Sequence, residues 1–308
     1  MKDILVIGGS YFVGRVFVEE LAENPEYRIH VLNRGTRPLN LDGVKEIVCD
    51  RNDIPRLKKA LPLLKWHAVV DFCGYTQQDV MTLLLVMPKN SVGHYIFISS
   101  VAVYESTRAL PIKEDSLKIN ARQPELGPNA DYGYNKWLAE LAVAAHCIPE
   151  KIPYTCLRPT IIYGKHNYLA RESYFFDLIL NKKTVVLPEN DLVLFQLVSV
   201  WDVAKIITLC MGNPATFSKA FNLAAEDLVS YGRFIDVMEE ITGNNIPTRN
   251  LFIAAMNGRK TQPPFPLDRH LIYSGALIQN TLGFQYTPFM EGMKRTWEWY
   301  RQTAETTA

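Results

Sequence analysis

The stretch Ile4-Leu5-Val6-Ile7-Gly8-Gly9-Ser10-Tyr11-Phe12-Val13-Gly14 decides the fold. Four apolar residues in a row read as a strand buried on both faces, as in a parallel sheet. The glycines after it open a turn into a helix read over Val13–Leu21. Glycine suits that turn because backbone amides at a helix start can then approach a pyrophosphate closely. The common dinucleotide fingerprint would place a third glycine at position 11, where this chain has Tyr11. The strand–turn–helix context gives the turn its weight. Gly8, Gly9, Ser10, Tyr11, Phe12, Val13 and Gly14 are thus the first candidate cofactor-binding residues.

Outward from that turn, short β-branched runs alternate with helical stretches. Strands are expected at Arg28–Leu32, Val44–Val48, Ala68–Phe72 and His94–Ile98, with helices near Ile54–Leu61 and Gln78–Val86. A sixth strand and its exit are read over Leu157–Gly164. Such alternation predicts an α/β fold, a Rossmann-like doubly wound parallel sheet with helices on both faces. Beyond it come a strand at Phe195–Val200, a helix at Val203–Met211 capped by Asp202, and a strand at Ala220–Leu223. A helix at Tyr231–Ile241 should stop at Gly243. Pro263, Pro264 and Pro266 mark a rigid link, and a helix from about Phe289 to Arg301 closes the chain. The expected division is a dinucleotide-binding domain, 1–163 plus about 195–224, and a smaller interleaved C-terminal substrate lobe, about 164–194 plus 225–308.

Composition narrows the function. Lys+Arg is 33 against Asp+Glu 32, a formal net charge of +1, which leaves out a strongly basic nucleic-acid footprint. The apolar run Met81–Met87, interrupted by Thr82, falls far short of a ~20-residue membrane span. The apolar run at the start is too short for a signal-peptide core. The five cysteines are odd in number and never spaced CxxC, so reduced thiols and a cytoplasmic location are expected. The six histidines share no metal-ligand spacing, and no metal is expected.

The second strand ends in Leu32-Asn33-Arg34-Gly35. Asn33 lies about 20 residues past the glycine turn, where an acid would hold the ribose hydroxyls of NAD. Here the acid is missing, and Arg34 follows with Arg37 nearby. A guanidinium pairs well with a 2′-phosphate, so NADP is expected in preference to NAD. Asp50 is placed to meet the adenine amine, and Phe72, Cys73 and Gly74 to line the cofactor.

Of the fifteen tyrosines, Tyr132 alone has a lysine four residues later, Lys136. On a helix both side chains share one face. A cation there lowers the phenol's pKa, so the phenol can exchange a proton with a carbinol near neutral pH. Upstream, the apolar strand Ile96-Phe97-Ile98 ends in Ser99-Ser100, placed to hydrogen-bond a substrate oxygen.

With these motifs in this order, the chain resembles the extended short-chain dehydrogenase/reductase family, the NAD-dependent epimerase/dehydratase group. The resemblance rests on the glycine turn, Ser99-Ser100 through Val103-Tyr104, Tyr132/Lys136, Arg158-Pro159 with Tyr163-Gly164, Val198–Asp202 and Phe221-Asn222-Leu223. It implies a catalytic triad of Ser100, Tyr132 and Lys136, and cofactor contacts at Gly8, Gly14, Asp50, Phe72 and Gly74. Ser99 and Pro159 join the cofactor candidates. Tyr75, Tyr104, His166 and Arg171 are the substrate candidates. The variant opening and the Asn-Arg-Gly turn are similar to a sub-branch that includes chloroplast stem-loop RNA-binding proteins and bacterial relatives.

The resulting expectation is an NAD(P)-dependent oxidoreductase or epimerase acting on a nucleotide-sugar or similar hydroxylated small molecule. Re-reduction of a keto intermediate on its other face would give epimerisation. Dehydratases of the resembled family typically carry an acid near the serine, and Ser99–Glu105 holds none before Glu105, so dehydration ranks lowest. Two alternatives are an RNA-binding or RNA-processing protein and a cofactor-sensing regulator. Near-zero charge and the absence of basic–aromatic stripes oppose the first, and the Tyr–Lys pair opposes the second. The Tyr–Lys helix continues Trp137-Leu138-Ala139-Glu140-Leu141-Ala142-Val143-Ala144-Ala145, apolar almost all round. Together with Gln78–Val86 it predicts a homodimer, which a charge at Ala142 should break.

Overall fold

The computed structural model describes residues 1–256 and 263–307. In chain order, the first half runs β1 (Lys2–Ile7), α1 (Phe12–Ala22), β2 (Tyr27–Asn33), β3 (Val44–Val48), α2 (Ile54–Ala60), β4 (Ala68–Asp71), α3 (Gln77–Val86), β5 (Tyr95–Ile98), α4 (Tyr132–Cys147) and β6 (Tyr154–Pro159). Then follow β7 (Ile161–Tyr163), α5 (Glu172–Leu180), β8 (Val185–Pro188), β9 (Leu197–Ser199), α6 (Val200–Cys210) and β10 (Lys219–Leu223). The chain finishes with α7 (Tyr231–Thr242), β11 (Thr248–Leu251), α8 (Ile253–Met256), α9 (Ala276–Leu282) and α10 (Phe289–Thr307).

Seven strands form one parallel sheet in the order β10-β6-β5-β4-β1-β2-β3. Ile4 to Ile7 are buried on both faces, which is why their side chains form an unbroken apolar run. β1 pairs with β2 on one side and β4 on the other. The strand order therefore reverses at β1, and a crevice opens beyond its carboxyl end. One core packs α1 and α6 against one face, the other packs α2, α3 and α4 against the opposite face. A third, aromatic core gathers Phe175, Phe234, Phe265 and Trp297 from the C-terminal part. The Pro263–Pro266 link is non-helical, as expected, and delivers Phe265 to stack on Phe175.

Several boundaries differ from expectation for local reasons. The strand read over Leu157–Gly164 is two strands, with β7 pairing β9 in a separate two-stranded sheet. The expected strand at Phe195–Val200 shrinks to β9, because the Ser199 hydroxyl accepts from Trp201 N (3.3 Å) and starts α6 early. Asp202 is consequently not the cap. It accepts from the Thr287 backbone and hydroxyl at 3.0 and 2.7 Å. Gly243 does end α7, at φ 67°, in the left-handed region that favours glycine. Ala142 is only 3% exposed and faces the α3 side of the core, so it is a core position and not a surface one. No helix among the described residues is long and apolar enough to cross a membrane.

Candidate active site

The carboxyl ends of β1, β2, β4, β5 and β6 carry most of the predicted residues to one edge of the sheet. At β1 the chain turns through Gly8, where an added Cβ would lie 2.0 Å from Cys73 Sγ. This position is closed to any side chain. Tyr11, in place of the third glycine, has φ −135° and ψ 144°, an extended backbone that any residue adopts. The substitution therefore costs the turn nothing. Phe12 and Val13 are buried in the core.

The residues present fit a nicotinamide dinucleotide on three counts. The first turn of α1 holds no acid and has no side-chain cap, so its amides are available to a pyrophosphate. Gly8, Gly9 and Gly14 keep that turn free of side chains. The buried Ser99 Oγ, at the end of β5, has no hydrogen-bond partner, an orphan that a bound group would satisfy.

The ends of β2, β3 and β4 are built differently from the sequence expectation. Asn33 does not reach into the crevice: its amide donates to Glu46 Oε2 (2.8 Å) and accepts from Gly35 N (2.8 Å). Arg34 and Arg37 remain exposed beside it, and the Arg37 guanidinium stacks on Tyr11, 4.1 Å from the ring centroid. Asp50 is exposed and accepts from Asn52 N. The Phe72–Gly74 loop is fixed from below. Asp71 pairs with Arg51 through two 2.8 Å bonds, accepts from the Tyr95 hydroxyl (2.7 Å), and holds Cys73 N (2.9 Å). Burial would raise the Asp71 carboxyl, but Arg51 and Tyr95 hold it below its ordinary value. Sequence reasoning missed this cluster. Its signal was an acid ending an otherwise apolar strand.

Ser100 and Tyr132 come together as predicted. The Ser100 hydroxyl accepts from Ala102 N (3.1 Å) and interacts with the Tyr132 phenol. Their approach depends on Gly133, a residue not singled out beforehand: a Cβ there would lie 2.2 Å from Ala102 O. Lys136 is buried one turn on, and its Nζ donates to Gly74 O and Ile98 O, both at 2.8 Å. The rings of Tyr75 and Phe97 flank it at 4.9 Å. Burial pushes its ammonium down to about 8, opposed by Asp71. Desolvation in the cleft raises the Tyr132 phenol, and Ser100 and Arg171 oppose that rise. The cation opposing it is thus Arg171, since Lys136 is held by the two carbonyls; here the structure corrects the expectation.

The substrate candidates divide. Arg171 lines a cleft of about 880 Å³ together with Ser100, Tyr132 and Thr160. Arg108, Arg269 and His270 reach the same cleft, as do Glu105 and Asp268. Tyr75 stays exposed over Lys136. Tyr104 is buried, and although its ring borders the cleft its hydroxyl is engaged: it donates to Asn222 Oδ1 (2.6 Å) and accepts from Arg158 (2.8 Å). Arg158 in turn grips the buried Glu140 through two bonds. Tyr104 is therefore a tether rather than a free substrate contact, and burial pushes its phenol up to about 12. His166 faces away from the cleft, bonded to Glu19 (3.0 Å) and edge-on to Trp299. Pro159 ends β6 within the sheet, buried opposite Leu223. Among the described residues, no three His, Cys, Asp or Glu side chains gather to hold a metal.

Residues 71–224 match the family profile described as the NAD dependent epimerase/dehydratase family. The chain is 24% identical over 305 residues to the chloroplast stem-loop binding protein of 41 kDa b of Arabidopsis thaliana, covering 92% of this chain and 75% of that protein. Its fold superposes on UDP-glucose 4-epimerase of Thermotoga maritima, solved with UDP-glucose, at a TM-score of 0.79 and 20% identity, covering 98% of this chain and 99% of the other. The dTDP-glucose 4,6-dehydratase of Bacillus anthracis, solved with NAD, superposes at 0.80 with 17% identity, covering 99% and 98%.

Proposed function

The chain belongs to the NAD dependent epimerase/dehydratase family, and from that premise we propose that it is an NAD(P)-dependent oxidoreductase or epimerase of a nucleotide-sugar or similar hydroxylated molecule. The observation that carries this is the meeting of Ser100 and Tyr132 on the wall of one large cleft, with Lys136 behind them. A bound nicotinamide dinucleotide supplies the hydride acceptor and donor. Tyr132 takes the proton of the substrate hydroxyl, and Ser100 hydrogen-bonds the same oxygen. Lys136 fixes the Gly74 and Ile98 carbonyls and keeps one of its three N–H donors for the cofactor ribose. Residues 164–194 and 225–308 serve as the substrate lobe. Arg108, Arg171 and Arg269 suit an anionic substrate such as a nucleotide-sugar diphosphate.

Tyr132→Phe removes the proton-transfer group and leaves the ring. Turnover should fall about 10²-fold or more, with cofactor affinity retained by calorimetry. Equal turnover by the variant refutes the assignment. We further infer NADP as the preferred cofactor, from Arg34 and Arg37, and a homodimer through α3 and α4. The free thiols of all five cysteines support a reducing, cytoplasmic setting. A second reading, RNA stem-loop binding, is supported by the Arabidopsis relative. The net charge of +1 weighs against it.

A further inference from the structure

The segment between β7 and α5 belongs to no strand or helix, yet it is fastened at every turn. Lys165 and His166 both reach Glu19 of α1, at 2.8 and 3.0 Å. Tyr168 packs edge-on against Tyr11 (5.0 Å) and Phe12 (6.3 Å) of the glycine turn. The buried Glu172 carboxylate accepts from Gly164 N and from the Asn167 amide. Arg171 comes off this braced segment directly before α5, half-buried, and donates to Ile162 O (3.3 Å). A guanidinium has five N–H donors. Most of this one is therefore left for the cleft that Arg171 shares with Ser100 and Tyr132.

Lys136 is placed quite differently. Two carbonyls and two aromatic rings enclose its ammonium. Carbonyl oxygens and ring faces partly neutralise its field before it reaches the phenol. Tyr132 meets Ser100, the phenols of Tyr75 and Tyr168, and the Arg171 guanidinium. Among these neighbours, Arg171 alone carries positive charge.

We propose that Arg171 is the cation that stabilises the Tyr132 phenolate, as an electrostatic positioning residue, while Lys136 organises the Gly74 and Ile98 backbone. This rests on Tyr132 being the proton-transfer group. Phenolate formation puts a negative charge on the Tyr132 oxygen, and the nearby guanidinium lowers the free energy of that state without itself giving up a proton. The raised phenol and the opposing effect of Arg171 on it agree with this placement.

The test needs no turnover, so it fails or succeeds independently of the enzymatic reading. Tetranitromethane nitrates phenolates, and mass spectrometry of the Tyr132 peptide gives the rate at that ring. An opposite charge at this range shifts a pKa by about one unit or more. Arg171→Gln should therefore slow nitration of Tyr132 about tenfold at fixed pH, while Arg171→Lys, which keeps the charge, stays close to wild type. Losing the long side chain merely opens the cleft and would speed nitration. An unchanged or faster rate in Arg171→Gln overturns the proposal. So does an Arg171→Lys rate as low as that of Arg171→Gln, which would show shape rather than charge at work.

Discussion

At the scale of single residues, the cofactor question turns on Asn33 and Glu46. An acid at position 33 would face the Glu46 carboxylate, which already accepts the Asn33 amide and Leu39 N. Two carboxylates so close repel, and one is driven to stay protonated. Asparagine removes that conflict and ties the Arg34–Arg37 turn to β3, leaving both guanidinium groups exposed at the crevice mouth. Charge-assisted bonds to a 2′-phosphate contribute about 1.5–3 kcal/mol, so NADP should bind roughly tenfold or more tightly than NAD. Calorimetry with both cofactors measures this, and Arg34→Gln should erase most of the difference. Tighter binding of NAD by the wild type would reverse the inference. The Tyr132–Lys136 pair was legible in the sequence because both partners lie one turn apart on one helix. Asp71–Arg51 and Tyr104–Asn222–Arg158 were not, since each joins residues from distant strands, and nothing local marks such partners. For the same reason Tyr104 and His166 read as substrate contacts, although both are consumed by structural bonds.

At the scale of elements, the parallel strands were readable because burial on both faces leaves a continuous apolar run. The three- and four-residue strands β7, β8, β9 and β11 were not, since so short a stretch carries no usable period. The most consequential element lacks regular structure altogether, namely residues 164–171. Its main fastening is Glu19, whose carboxyl is raised by burial but pulled to about 2 by bonds from His166, Lys165 and Arg15, against an ordinary value of 4.5. The folded value lies below the unfolded one. The stabilisation is therefore complete above the ordinary carboxylate range and is lost as pH falls from there toward 2. Glu19→Gln should lower stability by about 1–3 kcal/mol near neutral pH. Urea unfolding of both proteins across the acid range checks the sign. Their midpoints should converge as pH drops toward 2, and a gap that stays constant with pH would show that the charge at Glu19 does not matter.

At the scale of the whole molecule, one face of the sheet ends in a surface without cover. α3 and α4 lie side by side over the core, and outward from them Leu85 is 66%, Leu141 46% and Ile148 63% exposed. Two long apolar side chains on adjacent helices, with Ala145 also exposed between Leu141 and Ile148, form a contiguous patch rather than scattered singles. A second copy related by a two-fold axis would match the patch to itself, the commonest closed arrangement. A stable interface needs about 800 Å² from each partner, which a pair of helices from each chain can provide. The position that tests it follows from the structure. Ala142 is packed in the core, so a charge there would damage the fold and say nothing about association. Leu141 is open to solvent, so Leu141→Arg leaves the folded chain intact and places like charges across the two-fold. Light scattering at micromolar concentration should give twice the chain mass for the wild type and the single-chain mass for Leu141→Arg. The variant's circular dichroism spectrum should match that of the wild type, showing that the fold is kept. A wild-type protein that stays monomeric at that concentration rejects the dimer, and a Leu141→Arg protein that remains dimeric moves the interface away from α3 and α4.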